Sequence, residues 1–245
     1  MRIPRIYVQD ALHSGMTITL PEQAGEHVVR VLRLEPGFSI LLFNGDGFDY
    51  AAELVSVARR AVSARVGVRH AMAHESPLRV TLVQGIARGD KMDWILQKST
   101  ELGVEQVIPV FTDRTEVKLD EERAERRTAH WQQVVIAACE QCGRSRVPRV
   151  SAPLRLSAWA SALGESPGQR LALMPEGALR ARDIEWHSES AWLVVGPEGG
   201  LSDKDVAILT QAGFRGLGLG PRILRTETAG IAALTVLQTL RGDLA

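Results

Sequence analysis

Short apolar segments separated by turn residues dominate the first third of the chain. The apolar segment Ser39–Phe43 is followed directly by Asn-Gly-Asp-Gly, which is typical of a tight turn between strands. Two further segments, 48–57 and 61–68, predict strands, and the second has apolar residues at alternate positions. Before them, 26–34 predicts a short helix that a Pro-Gly pair ends. Strands of this length and spacing predict a small β-barrel, with 70–77 as a linker after it.

From Leu78 onward the pattern changes to strands that alternate with helices. Asp90 is predicted to cap a helix that ends at Gly103, and Ser202 with Asp205 three residues later predicts a capping box. This alternation predicts a mostly parallel α/β sheet, so we place a barrel domain at 1–72 and an α/β domain at 73–245. The predicted strands are 79–86, Val104–Phe111, 171–174, 192–195 and 215–219, and the further predicted helices are Glu121–Cys142, 202–213 and 228–240.

Composition narrows the function classes without selecting one. The 245 residues are 45% hydrophobic and 24% charged, with a formal net charge of zero. These values exclude a disordered chain and a protein that holds nucleic acid by bulk charge, so any such binding must use a local patch. No apolar run is long enough for a signal peptide or a membrane span, so we expect a soluble cytoplasmic protein.

The two cysteines, Cys139 and Cys142, form a Cys-x-x-Cys pair. A zinc site needs two more ligands in suitable spacing, and the sequence has no second pair of this kind. The pair lies late in a predicted helix, whereas a thiol of low pKa usually lies at a helix N-terminus. We therefore expect no metal site and no disulfide framework.

Glycine and proline cluster at the ends of three predicted strands. The segments are 173–177 (Leu-Met-Pro-Glu-Gly), 196–200 (Gly-Pro-Glu-Gly-Gly) and 219–229 (Leu-Gly-Pro-Arg-Ile-Leu-Arg-Thr-Glu-Thr-Ala). Ligands bind at the carboxyl ends of strands in open α/β sheets, and glycine lets the backbone approach them closely. The segments predict a backbone-lined pocket for a nucleoside, although each alone could be an ordinary turn. P-loop and dinucleotide-binding spacings are absent from the sequence.

Together with these loops, four other blocks of the chain resemble the RsmE family of the SPOUT superfamily. The blocks are 1–7, 27–33, 91–103 and 137–144, so the resemblance extends over nearly the whole chain. It implies a PUA-like RNA-binding barrel followed by an α/β domain with a C-terminal deep trefoil knot. It also implies a homodimer that uses S-adenosylmethionine to methylate uridine N3 in 16S ribosomal RNA of the small ribosomal subunit.

By this resemblance the three Gly/Pro loops form the cofactor pocket. The predicted S-adenosylmethionine-binding residues are Leu173, Met174, Pro175, Gly196, Pro197, Glu198, Gly199, Gly200, Leu219, Gly220, Ile223, Leu224, Thr226, Thr228 and Ala229.

Methylation of uracil N3 defines the catalytic groups to look for. The target base must be unpaired, because the N3 proton lies on its Watson–Crick edge. Loss of that proton leaves negative charge on O2 and O4, which a cation could stabilise, and Arg225 is the first candidate. Glu140, Glu198 and Glu227 are candidates for accepting the proton, and the sequence does not rank them. The reaction requires no metal.

Basic residues at several positions are candidates for holding the RNA. Arg30 and Arg33 lie three apart on the predicted short helix, which favours an RNA backbone contact, with a solvated helix face as the alternative. Glu140 and Arg144 are four apart, a spacing that also suits a surface ion pair on a helix. The predicted RNA-binding residues are Arg2, Arg5, His27, Arg30, Arg33 and Arg144.

The predicted last helix, 228–240, is apolar on nearly all sides, which favours a dimer seam in addition to a core contact. Two other functions stay open at this stage. One is a ribose 2′-O RNA methyltransferase of the same superfamily, and the other is a non-catalytic RNA-binding assembly factor. The position of the methyl group distinguishes the first, and a lack of S-adenosylmethionine binding would distinguish the second.

Overall fold

The computed structural model describes residues 3–58, 61–72, 74–165, 167–174 and 178–244. The chain divides into two compact units. The N-terminal unit comprises residues 1–75 and 139–147, and the α/β unit comprises residues 76–138 and 148–245. Each unit has a hydrophobic core of its own.

The N-terminal unit is built on a five-stranded sheet. Its elements are β1 (Arg5–Tyr7), β2 (Thr17–Thr19), α1 (Glu22–Glu26), a π-helical segment (His27–Leu32), β3 (Ser39–Phe43), β4 (Phe48–Ala58) and β5 (Ala61–Ala71). The strand order is β1-β3-β4-β5-β2, in which β1 and β3 are parallel and the other pairs antiparallel. Alternate strand residues such as Ile40, Leu42 and Leu54 point into the core, which Val28 of the π-helical segment completes.

The helix of this unit differs from its prediction over 26–34. It begins at Glu22, and from His27 it widens to a π-helix. The N–H of Arg33 bonds to the carbonyl oxygen of Val28, five residues back, which is the π-helical spacing rather than the α-helical spacing of four. Strand β5 extends to Ala71, so the predicted linker over 70–77 starts too early.

The α/β unit carries an eight-stranded sheet in which every described pairing is parallel. Its elements are β6 (Arg79–Gly85), α2 (Lys91–Glu101), β7 (Val104–Phe111), α3 (Glu121–Cys142, whose last residues belong to the N-terminal unit), β8 (Arg149–Val150), β9 (Leu154–Arg155), α4 (Leu156–Ala162), β10 (Gln169–Leu173), β11 (Leu179–Arg180), a 3₁₀ turn (Ala181–Asp183), β12 (Ser190–Val195), α5 (Asp203–Gln211), β13 (Arg215–Gly218) and α6 (Thr226–Arg241). The order is β11-β13-β10-β12-β6-β7-β8, with β9 paired to β7. The prediction of a parallel α/β sheet is confirmed.

Strands β6 and β12 lie side by side, and the chain leaves them in opposite directions. After β6 it passes through α2 to β7 on one side, and after β12 it passes through α5 to β13 on the other side. Such a point in an open parallel sheet leaves a crevice at the carboxyl ends of the strands, where ligands bind.

Alternate side chains of β6 and β12 point to opposite faces of the sheet. Val83 and Val194 lie in a core cluster with residues of α4 and α5. Gln84 and Val195 face the other way, toward α6, since a Cβ built on Gly230 would lie 3.7 Å from each of them. Helix α6 therefore covers this face.

The ends of several elements test the capping predictions. The capping box of Ser202 and Asp205 is confirmed, with Asp205 N–H donating to the Ser202 hydroxyl at 3.1 Å. Asp90 occupies the position before α2, but its backbone is already helical and its side chain makes no capping hydrogen bond, so the predicted cap is wrong. Helix α6 begins at Thr226, two residues before its predicted start. No helix in the described part of the chain is long and apolar enough to cross a membrane.

Candidate active site

Three segments that are distant in sequence meet at the carbonyl group of Gly196, directly after β12. The hydroxyl of Thr226, in the first turn of α6, donates a hydrogen bond of 2.6 Å to the Gly196 carbonyl oxygen. The side-chain amide of Gln84, near the end of β6, donates to the Thr226 hydroxyl at 2.9 Å and to the Gly196 carbonyl at 3.4 Å. Gln84 and Thr226 are both buried. This cluster fixes the turn after β12 to the N-terminus of α6.

Glycines let the backbone fold tightly at the same edge. A Cβ on Gly85 would lie 2.6 Å from the backbone nitrogen of Pro197, and one on Gly196 would lie 2.9 Å from the backbone of Gly200. Both distances are shorter than a Cβ contact tolerates, so the turn needs glycine at these two positions. Gly220 is required for another reason, because its φ of +102° lies in the region that favours glycine.

Two of the predicted catalytic carboxylates, Glu198 and Glu227, flank the ammonium group of Lys91. Lys91 Nζ lies 3.3 Å from Oε1 of Glu198 and 3.9 Å from Oε2 of Glu227. The backbone N–H of Arg88 donates to Glu198 at 3.0 Å. Burial alone would raise the pKa of Glu198, but the backbone hydrogen bonds and the Lys91 ammonium together outweigh it and lower this pKa below its usual value. Glu198 is therefore ionised at neutral pH.

Two buried side-chain oxygens at this edge have no hydrogen-bond partner among the described residues. They are Oε1 of Gln84 and Oε2 of Glu227. A buried polar atom without a partner is costly, and native proteins usually satisfy it with water, an ion or a ligand. Oε1 of Gln84 faces α6 near Gly230, whereas Oε2 of Glu227 lies 3.9 Å from Lys91 Nζ and can accept a hydrogen bond from a ligand hydroxyl or amino group.

The loop after β7 contacts the same turn. Arg114 Nη1 donates a hydrogen bond of 3.0 Å to the carbonyl oxygen of Gly199. A Cβ on Gly199 would lie 3.1 Å from the Cβ of Arg114, so a larger residue would displace this loop. Two residues further along, Glu116 pairs with the guanidinium of Arg88 at 2.7 Å. The loops after β6, β7 and β12 are thus connected to one another.

Comparison with known proteins identifies the family. Residues 20–67 match the family described as RNA methyltransferase PUA domain, and residues 74–238 match the family described as RNA methyltransferase domain. The ribosomal RNA small subunit methyltransferase E of Bacillus subtilis is 34% identical over 246 residues, which cover 95% of each chain. The chain belongs to the ribosomal RNA small subunit methyltransferase E family. This is the RsmE family that the sequence motifs resemble, so the predicted family and enzyme class, a methyltransferase, are confirmed.

Solved structures related to methyltransferase E align with the whole chain. A ribosomal RNA small subunit methyltransferase E from Neisseria gonorrhoeae, solved with bound S-adenosylmethionine, is 40% identical with a TM-score of 0.94 and complete coverage of both chains. A methyltransferase from Legionella pneumophila, also solved with S-adenosylmethionine, is 39% identical with a TM-score of 0.95 and complete coverage. The cofactor predicted from the motifs is the one bound in both.

The other predicted cofactor residues differ widely in exposure. Leu173 and Met174 are half-buried at the end of β10, and Met174 packs against the core of the α/β unit. Leu219 and Leu224 are also half-buried, whereas Ile223 is 96% exposed. Pro175 lies outside the described residues. Contacts of all these residues with the cofactor stay predictions.

Arg225, the first candidate for stabilising charge on the base, is the exposed residue directly before α6. Its carbonyl oxygen accepts hydrogen bonds from the backbone N–H groups of Thr228 and Ala229 at 2.9 and 2.8 Å. The residue therefore adjoins the Thr226–Gly196 hydrogen bond, which fixes its backbone beside the crevice. Its catalytic role stays a prediction.

Arg5 and Arg144, predicted to contact RNA, belong to a buried polar network in the N-terminal unit. The Arg5 guanidinium pairs with Asp49 and donates to the backbone carbonyl of Arg144 at 3.0 Å. The Arg144 guanidinium pairs with Glu75 at 2.7 Å, and its side chain is only 7% exposed. Direct contact of either guanidinium with an RNA phosphate therefore requires these ion pairs to open.

Glu140 is half-buried in the same unit and does not pair with Arg144. Helix α3 ends at Cys142, so the two residues do not share a helical face, and the alternative of a surface ion pair is wrong. Glu140 Oε1 accepts a hydrogen bond of 3.0 Å from the N–H of Tyr7. Burial raises the pKa of Glu140, and this hydrogen bond with the charges of His27 and Arg5 offsets it only in part. Its role as a proton acceptor stays a prediction.

His27, Arg30 and Arg33 are exposed in the N-terminal unit, as an RNA contact requires. Arg30 pairs with Glu26 at 3.2 Å. The expectation that Arg30 and Arg33 share a helix is wrong, because Arg33 follows the π-helical segment with a left-handed φ of 51°. Arg2 lies outside the described residues.

The cysteine pair is placed where a metal or redox role is not supported. Cys139 is buried, which raises its pKa to about 12, and it is a free thiol like Cys142. Within the described ranges, no group of three or more metal-binding side chains is found.

Gln84, Arg88, Lys91 and Arg114 were not identified from the sequence as site residues. Their partners lie on other strands, so spacing along the chain carries no signal for these contacts. Gln84 alone had a usable signal, because one amide inside an otherwise apolar central strand is buried and must find polar partners.

Proposed function

We propose that this protein transfers the methyl group of S-adenosylmethionine to N3 of a uridine in 16S ribosomal RNA of the small ribosomal subunit. The observation that carries the proposal is the cofactor-bound methyltransferase E of Neisseria gonorrhoeae, which is 40% identical over its full length. The Bacillus subtilis relative, named for ribosomal RNA of the small subunit, supports the substrate. The uridine N3 position follows from the RsmE family resemblance.

The residues at the crevice fit this cofactor. The tight turn at Gly196 and Gly199 presents backbone groups of the kind that bind a nucleoside. Oε2 of Glu227 has no hydrogen-bond donor among the described residues and can accept a hydrogen bond from a hydroxyl or amino group. When bound, S-adenosylmethionine supplies an electrophilic methyl group. We assign the pocket to the three loops that contain Met174, Gly196 and Gly220.

Charged side chains of this protein then accept the N3 proton of the uracil and stabilise the negative charge that remains. The ionised carboxylate of Glu198 and that of Glu227 are the proposed proton acceptors in the α/β unit, and Lys91 Nζ lies 3.3 and 3.9 Å from them. Arg225 would stabilise the negative charge that develops on O2 and O4 after loss of the N3 proton. Glu140, with its raised pKa, is the third proposed acceptor.

The proposal extends to the architecture that the RsmE resemblance implies. We place the domain boundary between residues 72 and 73, with the C-terminal α/β domain tied in a deep trefoil knot and two chains forming a homodimer. RNA is held at the N-terminal unit by His27, Arg30 and Arg33, which are exposed. A ribosomal RNA substrate is consistent with a cytoplasmic location.

Nucleoside analysis after an in vitro reaction tests the proposal. Small ribosomal subunits from a strain lacking this gene are incubated with the protein and isotope-labelled S-adenosylmethionine, and the digested RNA is analysed by mass spectrometry. We expect label in 3-methyluridine only when the protein is present. Label in a ribose-methylated nucleoside would support the 2′-O methyltransferase instead. Failure to bind S-adenosylmethionine in calorimetry would support the assembly factor.

A further inference from the structure

A basic cleft lies on the α/β unit, between the loop that follows β7 and helix α3. Its volume is about 460 Å³. Val117 and Leu119 supply its apolar lining. Every charged or titratable side chain that lines it is a cation or becomes one on protonation: Lys118, Arg123, Arg126, Arg127 and His130.

Helix geometry explains why these cations face one cleft. Arg123, Arg126, Arg127 and His130 follow the spacing i, i+3, i+4 and i+7, which places them on one face of α3. Lys118 joins them from the preceding loop, and all five side chains belong to exposed residues. The overall neutral chain therefore carries a local basic patch of the kind that nucleic-acid binding needs.

The ion pairs around the cleft leave its cations available. Arg123 pairs with Asp120 at 3.4 Å and Arg126 with Glu122 at 2.7 Å, and in both pairs each side chain is more than 60% exposed. Exposed pairs of this kind contribute little to stability, so a phosphate can replace the carboxylate at small cost. For Lys118 and Arg127, no ion pair is found in the part of the chain that the structure describes.

The cleft adjoins the candidate active site through one loop. The loop that supplies Lys118 also carries Arg114, which bonds to Gly199, and Glu116, which pairs with Arg88. At the other end of the cleft, His130 contacts the carboxylate of Asp93 in the first turn of α2 at 2.7 Å. An RNA strand whose base enters the crevice therefore has this cleft within reach of its flanking nucleotides.

We propose that this cleft binds the phosphodiester backbone of the substrate RNA next to the target uridine. The inference rests on the proposed function and adds to it an RNA contact within the α/β unit itself. Arginine suits this task because its planar guanidinium bonds a phosphate through two N–H groups. A backbone contact beside the crevice holds the strand without reading its sequence, which leaves the choice of base to the active site.

The double variant Arg123→Ala/Arg127→Ala tests the cleft, with Arg215→Ala as the matched control. Arg215 is an exposed arginine at the start of β13, opposite the carboxyl ends of the strands. Alanine is a strong helix former, so the double variant should fold, which its melting curve checks. Affinity for transcribed 16S ribosomal RNA is measured by filter binding at several salt concentrations, and S-adenosylmethionine affinity by calorimetry.

We expect weaker RNA binding for the double variant, with the slope of log affinity against log salt reduced by about 1.4, or roughly 0.7 for each phosphate contact to unpaired RNA. Cofactor affinity should stay unchanged, and Arg215→Ala should match the wild type. An unchanged salt slope in the folded double variant would overturn the inference. A second outcome would also overturn it: the wild type binds pyrophosphate, and the double variant loses this binding but keeps its RNA affinity. The cleft would then be a site for a small anion and not for RNA. Methylation by the wild-type protein is scored separately, so failure of the proposed function is distinguishable.

Discussion

The hydroxyl of Thr226 lies 2.6 Å from the carbonyl oxygen of Gly196, across 30 residues of chain. This one hydrogen bond connects the start of α6 to the turn after β12, and Gln84 of β6 donates to both partners. Because the three groups are buried, each depends on the others for its hydrogen bonds. The geometry of the turn after β12 therefore depends on the side chains of Gln84 and Thr226.

Replacing Thr226 by valine should weaken cofactor binding. Valine keeps the shape but removes the hydroxyl, which leaves the Gly196 carbonyl and the Gln84 amide with fewer buried partners, at a cost of about 1–3 kcal/mol. If half of that cost falls on the bound turn, we expect S-adenosylmethionine affinity to fall about two- to tenfold, since about 1.4 kcal/mol is tenfold. Calorimetry measures the affinity.

Thr235→Val is the control for this change. Its hydroxyl bonds to the Ile231 carbonyl within the same helix, at an exposed position. We expect near wild-type cofactor affinity for this variant. If the two valine variants bound S-adenosylmethionine equally well, the positioning role of Thr226 would be refuted.

Adding a single methyl group at Gly196 should disrupt the turn after β12. Its Cβ would lie 2.9 Å from the backbone of Gly200, which cannot move aside as a side chain can. We expect Gly196→Ala to lose measurable cofactor binding while still melting cooperatively. Gly230→Ala provides the comparison, because its Cβ would lie 3.7 Å from its neighbours inside a helix. That variant should bind normally and gain up to about 1 kcal/mol of stability from helix propensity.

The sequence predicted regular elements well and the contacts between them poorly, for a physical reason. Val104–Phe111 and Glu121–Cys142 have the predicted bounds, because periodic apolar residues and turn residues are local signals. The Gly/Pro loops were also identified locally. Gln84 and Thr226 meet only because the strand order brings β6 beside β12, and that pairing is not encoded in any one segment.

For Arg144, the rule that residues four apart share a helix face gave a wrong partner. The spacing from Glu140 suits a helical pair, but the helix ends at Cys142 and Arg144 turns to Glu75. Glu75 precedes the α/β unit in the chain, so only the folded N-terminal unit brings the two charges together. Such a partner is set by tertiary packing, which overrides helix spacing.

The variant Glu140→Gln should be more stable than the wild type at neutral pH. Burial raises the pKa of Glu140 above the usual 4.5, so the folded protein favours the protonated carboxyl. The protonated carboxyl therefore stabilises the folded state below the pKa of the unfolded chain. This contribution is lost as the pH rises through the folded pKa. Glutamine is neutral throughout, and its oxygen can still accept the Tyr7 hydrogen bond.

Denaturant unfolding at several pH values checks this expectation. The gain of Glu140→Gln over the wild type should be present at pH 7 and should vanish below pH 4. The exposed Glu35→Gln is the control and should show no such gain. A gain that persisted unchanged at acidic pH would contradict the assignment to ionisation. Loss of methylation together with higher stability would support Glu140 as a proton acceptor.

Replacing Arg33 by glycine should raise the stability of the protein and weaken its binding to RNA. Its φ of 51° costs a non-glycine residue about 1 kcal/mol, which Arg33→Gly would relieve. We expect this variant to melt at a higher temperature but to bind 16S ribosomal RNA less tightly, with a salt slope lower by about 0.7. Arg33→Lys keeps both the charge and the backbone strain, so it should resemble the wild type in both assays. Unchanged RNA binding by Arg33→Gly would remove Arg33 from the proposed RNA contact.

The proposed homodimer follows from apolar surface that the α/β unit leaves uncovered. Folding buries Leu234 and Leu237 of α6, but Leu240 stays 43% exposed and Ile223, before the helix, 96% exposed. Ile223 precedes α6 and Leu240 lies in its last turn, so the two side chains are separated by the length of the helix. A two-fold partner packed along α6 would cover both with their own copies. Light scattering at low micromolar concentration should report about 54 kDa, twice the chain mass of 26.8 kDa.

Ile223→Glu should shift this value toward the monomer, because it places like charges in the seam. Phe38→Glu changes an apolar residue of the N-terminal unit that is 45% exposed, and it should leave the dimer intact. A wild-type chain that scatters as a monomer and still methylates RNA would show that the seam is not needed.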